Sequence, residues 1–256
     1  MNRGWLLFSD IDDALMNTTR ADFQTMLQAL QAREIPLIPV SSKTLAELEP
    51  IMLELGIEGP VVAENGAVIA YPSEETQIAP PGYLLLRDFL VDQRANPAFD
   101  CLGFGDMSLE EIMRTTGLTR DTAQRAMQRL ASEPLFWQGN AEDLNYFRQV
   151  VARAGLRLTQ TEGFLYLQGH TDKGRAVQYV VNHLRNRGIT VNQTIAIGDS
   201  DADRELLLAA DIPVIVNRQA GSSRGLSERP DAPIADQPWP AGWSQAILEL
   251  LQRHAR

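Results

Sequence analysis

The chain has 256 residues, with 23 Lys+Arg against 33 Asp+Glu and a formal net charge of −10. Its 44% hydrophobic and 22% charged residues are values of a folded, water-soluble protein large enough for one big domain or two smaller ones. That charge and a pI near 4.8 argue against nucleic acid and membrane as partners, while leaving room for a small anionic substrate in a locally positive pocket.

Cys101 is the only cysteine, which excludes an internal disulfide framework and a multi-thiolate zinc site. The N-terminal apolar run Trp5–Phe8 is too short for a signal-peptide core and stops at an acidic cluster. No stretch approaches a membrane span, so a soluble cytoplasmic protein is expected. Oligomeric state is not readable.

Trp5–Phe8 reads as a strand buried on both faces, as in a parallel sheet. Phe23, Met26, Leu27 and Leu30 give helical spacing over 22–33, and Ile35–Val40 reads as the next strand. Thr44 and Glu47 form a capping-box pattern at the start of a helix over 45–55, with Gly56 as its stop. Val61-Val62 and Ala67–Ala70 flank Glu64-Asn65-Gly66, a hairpin signal. Residues 73–82, with Pro80-Pro81-Gly82, read as a linker or loop.

A short strand-like stretch follows, then a helix capped by Ser108 and a second opened by Thr119 and running to about 131, where Ser132-Glu133-Pro134 breaks it. A helix over 141–154 and strands over 156–159 and 164–168 complete this middle region. The α/β rhythm returns with a helix from Thr171-Asp172-Lys173-Gly174 to about 187, a strand over 194–197, a helix over 204–210, a strand over 212–216 and a last helix over 243–253. The pattern predicts an α/β fold: a doubly wound, Rossmann-like parallel-sheet core over 1–72 and 170–256, with an α+β cap inserted over 73–169.

Three apolar strands end in chemically useful residues: Asp10 and Asp12, then Ser41 and Ser42, then Asp199 and Asp203. In a parallel sheet these strand ends converge on one edge, and Lys173 at a helix start can reach the same place. Four gathered carboxylates repel one another unless a cation joins them, and hard oxygen donors suit Mg²⁺. A carboxylate held by Mg²⁺ and lysine can attack phosphorus, and a second carboxylate can move the proton.

The ordered set Asp10-Ile11-Asp12, Ser41, Lys173 and Gly198–Asp203 resembles the haloacid dehalogenase superfamily of aspartate-nucleophile phosphatases. The insertion between the second and third motifs is similar to that family's type-two cap. The resemblance implies that Asp10 is the nucleophile and Asp12 the acid/base. It gives Ser41, Ser42 and Lys173 the phosphate, and makes Asp10, Asp12, Asp199 and Asp203 the Mg²⁺ ligands. Glu64-Asn65-Gly66-Ala67, Thr116-Gly117-Leu118, Ser132-Glu133-Pro134 and Gly169–Gly174 resemble, more narrowly, the mannosyl-3-phosphoglycerate phosphatase branch. That likeness implies a small sugar-phosphate substrate met by Lys43, Asn65, Arg129, Ser132, Glu133 and His170.

The chain departs from the usual family pattern at Asp13, Ala14 and Ala202. Other readings stand beside these. Asp10 and Asp12 can cap a loop; Asn65 can serve the turn alone; Arg129, Ser132 and Glu133 can serve a helix end. A different sugar phosphate, or a catalytically impaired binding relative, are the alternative functions. Residues 108–130 mimic a helix-turn-helix, but Arg114, Arg120, Arg125 and Arg129 against Glu110, Glu111 and Asp121 leave only +1, too little for a DNA binder.

Overall fold

The computed structural model describes residues 4–11, 20–161, 164–217, 225–238 and 241–253. The first part of the chain runs β1 (Trp5–Asp10), α1 (Arg20–Gln31), β2 (Leu37–Val40), α2 (Leu45–Leu55), β3 (Val61–Ala63), β4 (Val68–Ala70) and β5 (Gln77–Ile78). An inserted unit follows: α3 (Tyr83–Gln93), β6 (Cys101–Gly103), α4 (Leu109–Thr116), α5 (Arg120–Ala126), β7 (Ser132–Trp137), α6 (Ala141–Arg153), β8 (Arg157–Thr161) and β9 (Phe164–Gln168). The chain then returns with α7 (Lys173–Asn186), β10 (Gln193–Gly198), α8 (Arg204–Ala209), β11 (Ile212–Ile215) and α9 (Ala241–Arg253).

The core sheet has the order β11-β10-β1-β2-β3-β4-β5. β11, β10, β1, β2 and β3 are parallel to their neighbours, and β4 and β5 add an antiparallel edge. Every residue of β1 is buried. Trp5 and Leu7 join Phe23 and Met26 of α1 and Trp243 and Ile247 of α9 on one face. Leu6 and Phe8 join Val177 and Val180 of α7 and Leu206 of α8 on the other. The period-2 alternation thus feeds two hydrophobic layers at once, which is why the strand sequence is apolar throughout.

The second sheet is antiparallel, order β6-β7-β9-β8, over a core of Leu86 and Leu90 from α3 and Phe147 and Val151 from α6. Three sequence expectations need correcting here. Residues 83–93 form a helix that the sequence pattern does not predict, ahead of the short strand β6: Leu86 and Leu90, four apart, are buried, while Leu84 and Leu85 face outward. α5 ends at Ala126, and Ser132-Glu133-Pro134 opens β7 rather than merely breaking a helix. β6 pairs only with Leu135, Phe136 and Trp137, so Pro134 sits where β7 is an edge on that side and its missing N–H is tolerated. Within the predicted linker, Gln77 and Ile78 form the edge strand of the core sheet, so the chain leaves that sheet after Ile78.

Candidate active site

Asp10 ends β1, and its neighbours in the sheet set the site. Asp10 pairs in register with Val40, and Ser9 with Ile197. Ser41, Ser42 and Lys43 therefore leave β2 beside it, and Asp199 to Asp203 leave β10 on the other flank. The Trp243 indole N–H donates to Ser9 Oγ at 2.7 Å, and that hydroxyl lies 3.0 Å from the Asp10 carbonyl, fixing the strand end from below.

Lys173, in the first turn of α7, is 3% exposed. Its Nζ donates to Asp10 Oδ1 at 2.6 Å and to Asp203 Oδ1 at 2.7 Å. A cation in the first helical turn opposes the helix dipole, and these two carboxylates offset that penalty. Asp203 Oδ2 accepts from the backbone N–H groups of Asp199 and Ser200 and from Ser200 Oγ. Burial pushes the Asp203 carboxyl up, but the Lys173 charge and these donors outweigh it and hold the group below the usual carboxylate range. Gly198 is required for this packing, since a Cβ there would meet Asp203 Cβ at 2.5 Å.

Asp10, Asp199 and Asp203 each present a carboxylate oxygen, all within 4.8 Å of one another. The set carries three negative charges, of which Lys173 offsets one. Hard anionic oxygens with charge to spare fit a divalent cation. Asp12, Asp13 and Ala14 lie outside the described residues.

Ser41 and Ser42 are buried; Ser41 Oγ accepts from the Lys43 backbone N–H at 3.2 Å. The Asn65 N–H donates to the Ser41 carbonyl and the Glu64 N–H to the Lys43 carbonyl, both at 2.9 Å, so the 64–66 turn rests on the β2 strand end. It is a turn between antiparallel β3 and β4, as its sequence predicts, with φ of 50°, 55° and 92° at Glu64, Asn65 and Gly66. A Cβ at Gly66 would meet the Asp172 carbonyl oxygen at 2.3 Å, so only glycine lets the turn abut the start of α7.

Of the other residues expected to meet substrate, Arg129, Ser132, Glu133 and His170 each contact protein groups. Arg129 Nη1 donates to the Ser42 carbonyl at 2.9 Å and its Nε to the Ala126 carbonyl at 3.0 Å. The buried Glu64 carboxylate accepts from the N–H groups of Leu130 and Ala131 and from Ser132 Oγ, at 2.8 to 3.0 Å. Arg129 and Ser132 therefore clasp the inserted unit to the core. Glu133 lies within the inserted unit, accepting from Arg87 Nη1 at 2.7 Å and the Gly105 N–H at 2.9 Å. His170 is exposed, with its Nε2 3.2 Å from Arg175 Nη2.

A cleft of about 230 Å³ opens beside Lys173, between the strands of the inserted unit and the core. Its walls include Asn65, Thr159, Gln168 and Ala202. Arg157 of β8 spans it, donating to Asp172 Oδ2 at 2.7 Å and Glu205 Oε1 at 2.8 Å. No motif marks Arg157, Thr159 or Gln168. The one sequence signal for Gln168 is a polar residue closing an apolar strand.

Residues 7–80 and 154–221 match the family of haloacid dehalogenase-like hydrolases. The chain is 32% identical over 98% of both chains to the glucosyl-3-phosphoglycerate/mannosyl-3-phosphoglycerate phosphatase of Persephonella marina. It is 29% identical to the protein of the same name from Methanococcoides burtonii, over 97% of this chain and 98% of that one. Its fold is shared by the Synechocystis sucrose-phosphatase solved with sucrose and phosphate (TM-score 0.65, 18% identity, 98% of each chain). A haloacid dehalogenase-like hydrolase of Bacteroides thetaiotaomicron shares it too (TM-score 0.69, 19% identity, 97% of this chain and all of that one). With the strand-end carboxylates, the helix-start lysine and these likenesses in hand, the chain belongs to the haloacid dehalogenase-like hydrolases.

Proposed function

We propose that this chain is a Mg²⁺-dependent phosphatase acting through an aspartyl-phosphate, and that it removes phosphate from glucosyl- or mannosyl-3-phosphoglycerate in compatible-solute synthesis. The observation that carries this reading is the buried Asp10 carboxylate, held at 2.6 Å by Lys173 within a cluster of acidic oxygens. The names of the two relatives support the substrate.

Asp10, Asp199 and Asp203 would hold the metal, joined by Asp12. Bound there, Mg²⁺ supplies positive charge that offsets repulsion between the carboxylates and the phosphoryl oxygens. Lys173 holds and orients Asp10, so that its carboxylate attacks phosphorus. Ser41, Ser42 and Lys173 donate to the phosphoryl oxygens as charge builds on them. Asp12 gives its proton to the departing alkoxide, then takes one from the water that attacks the aspartyl-phosphate and frees Asp10.

Phosphate release across a panel tests this reading: both glycosyl-3-phosphoglycerates, sucrose phosphate, hexose phosphates and free 3-phosphoglycerate, with Mg²⁺ and with Asp10→Asn as the blank. A large kcat/KM preference for a glycosyl-phosphoglycerate is expected. Equal low rates on every ester would remove the substrate assignment, and no release at all would remove the activity.

A further inference from the structure

The cleft beside Lys173 is lined by residues with buried polar atoms that have no hydrogen-bond partner among the described residues: Asn65 Nδ2, Thr159 Oγ1 and Gln168 Oε1. Asn65 is 5% exposed and Gln168 is 0% exposed. An unpaired buried polar atom is costly, so three around one cleft destabilise the empty site in a way that a ligand can relieve.

Their orientations are set by the fold. Gln168 Nε2 donates to the Thr171 carbonyl at 3.0 Å and approaches the Asn65 carbonyl at 3.4 Å, which turns Oε1 the other way. The Asn65 backbone is pinned by its bond to Ser41 and held at a φ of 55°, a conformation that asparagine tolerates better than most residues. Thr159 and Gln168 stand on the paired strands β8 and β9 of the inserted unit, across from Asn65 in the core. An amide donor, an amide acceptor and a hydroxyl therefore line one space from two sides.

The charges around that space say what it takes. Lys173 is already engaged with Asp10 and Asp203, and Arg157 with Asp172 and Glu205; Asp201 adds another carboxylate to the wall. Away from Lys173 the wall is net negative, so a second anionic group is disfavoured there. A neutral polyol is suited to it, because each of its hydroxyls both donates and accepts.

We infer that Asn65, Thr159 and Gln168 form a hydroxyl-recognition subsite for the uncharged polyol part of the substrate, set beside the phosphate-binding Lys173. This rests on the phosphatase reading above and adds to it the residues that select the leaving group. Such a subsite discriminates strongly, since an ester lacking the hydroxyls leaves all three groups unpaired.

The test compares kcat/KM for glucosyl-3-phosphoglycerate with that for free 3-phosphoglycerate, in the wild type, Thr159→Val and Gln168→Met. Thr159→Val keeps the β-branched shape of a strand residue and removes only the hydroxyl, which guards against a variant that fails to fold. The expected result is a wild-type preference for the glycosylated ester that falls about three- to tenfold in Thr159→Val and further in Gln168→Met. A preference unchanged in both variants, or equal losses on both esters, would overturn the subsite. A wild type that hydrolyses both esters equally would overturn it and leave the phosphatase reading standing. A wild type that releases no phosphate from either would overturn both.

Discussion

Two groups of paired charge invite comparison, one buried in the core and one partly buried in the inserted unit. In the core, Lys173 bridges Asp10 and Asp203. In the inserted unit, Arg87 bridges Asp106 and Glu133, and Arg94 also reaches Asp106. The second group resembles the first in its bridged carboxylates, although only its Glu133 is fully buried. It differs in what surrounds it. Asp106 accepts from the Gly103 N–H and Glu133 from the Gly105 N–H, so the planar arginine fork and two backbone amides tie down a loop. The core group has surplus negative charge from Asp199, stands at the carboxyl ends of parallel strands, and borders a polar cleft. A buried ion pair is thus weak evidence for a site until its charge balance and its neighbours are counted.

The difference can be broken experimentally. Asp10→Asn replaces the proposed nucleophile by an isostere and should lower turnover by at least about a thousandfold with the near-UV spectrum unchanged. A variant with near wild-type rates would place the chemistry elsewhere. Excess chelator should silence the enzyme and added Mg²⁺ restore it; activity persisting in chelator would remove the metal from the account. Lys173→Met strips two buried carboxylates of their cation and should cost about 3–5 kcal/mol in denaturant titration, besides turnover. A stability change below 1 kcal/mol would mean that Asp10 and Asp203 do not need Lys173 in the fold.

Smaller effects sharpen the contrast. Glu64→Gln weakens the charge-assisted bonds that clasp residues 130–132 to the core, and about 1.5–3 kcal/mol of stability should go with them. Faster hydrogen exchange confined to that segment would locate the loss. In the inserted unit, burial raises the Asp106 carboxyl, but hydrogen bonds from Arg87, Arg94 and Gly103 outweigh it and hold the group well below its ordinary value of 3.8. A depressed carboxylate contributes stability that is full above 3.8 and drains as pH falls below it. Asp106→Asn should therefore flatten the acid limb of a stability–pH profile without moving the neutral plateau's slope. An acid limb as steep as wild type would assign that limb to other carboxylates.

Much of the core was legible from residues because one physical cause wrote each signal. The Thr44–Glu47 capping box and the left-handed Gly56 bound α2 as read, and uninterrupted apolar runs ending in carboxylates gave β1 and β10 and the residues at their ends. The inserted unit resisted. Leu84-Leu85-Leu86 carries no period that separates helix from strand, and α3 begins without a side-chain cap. Pro134 hides β7 because the strand's edge character at that point depends on where β6 stops. The bonds of Arg129 to Ser42 and of Ser132 to Glu64, partners far away in sequence, are contacts that no local pattern shows. Thr159 and Gln168 carry no motif, and only the packed structure brings them to Asn65.

The central claim is that Asp10 takes the phosphoryl group, and trapping it there is the most direct test. The enzyme is mixed with Mg²⁺ and glucosyl-3-phosphoglycerate, quenched in acid within milliseconds, reduced with borohydride and mapped by peptide mass. The account predicts homoserine at position 10, the reduction product of an aspartyl-phosphate, and none in the Asp10→Asn variant. Phosphate release during the first turnover with Asp10 unreduced, or the label at another carboxylate, would contradict it.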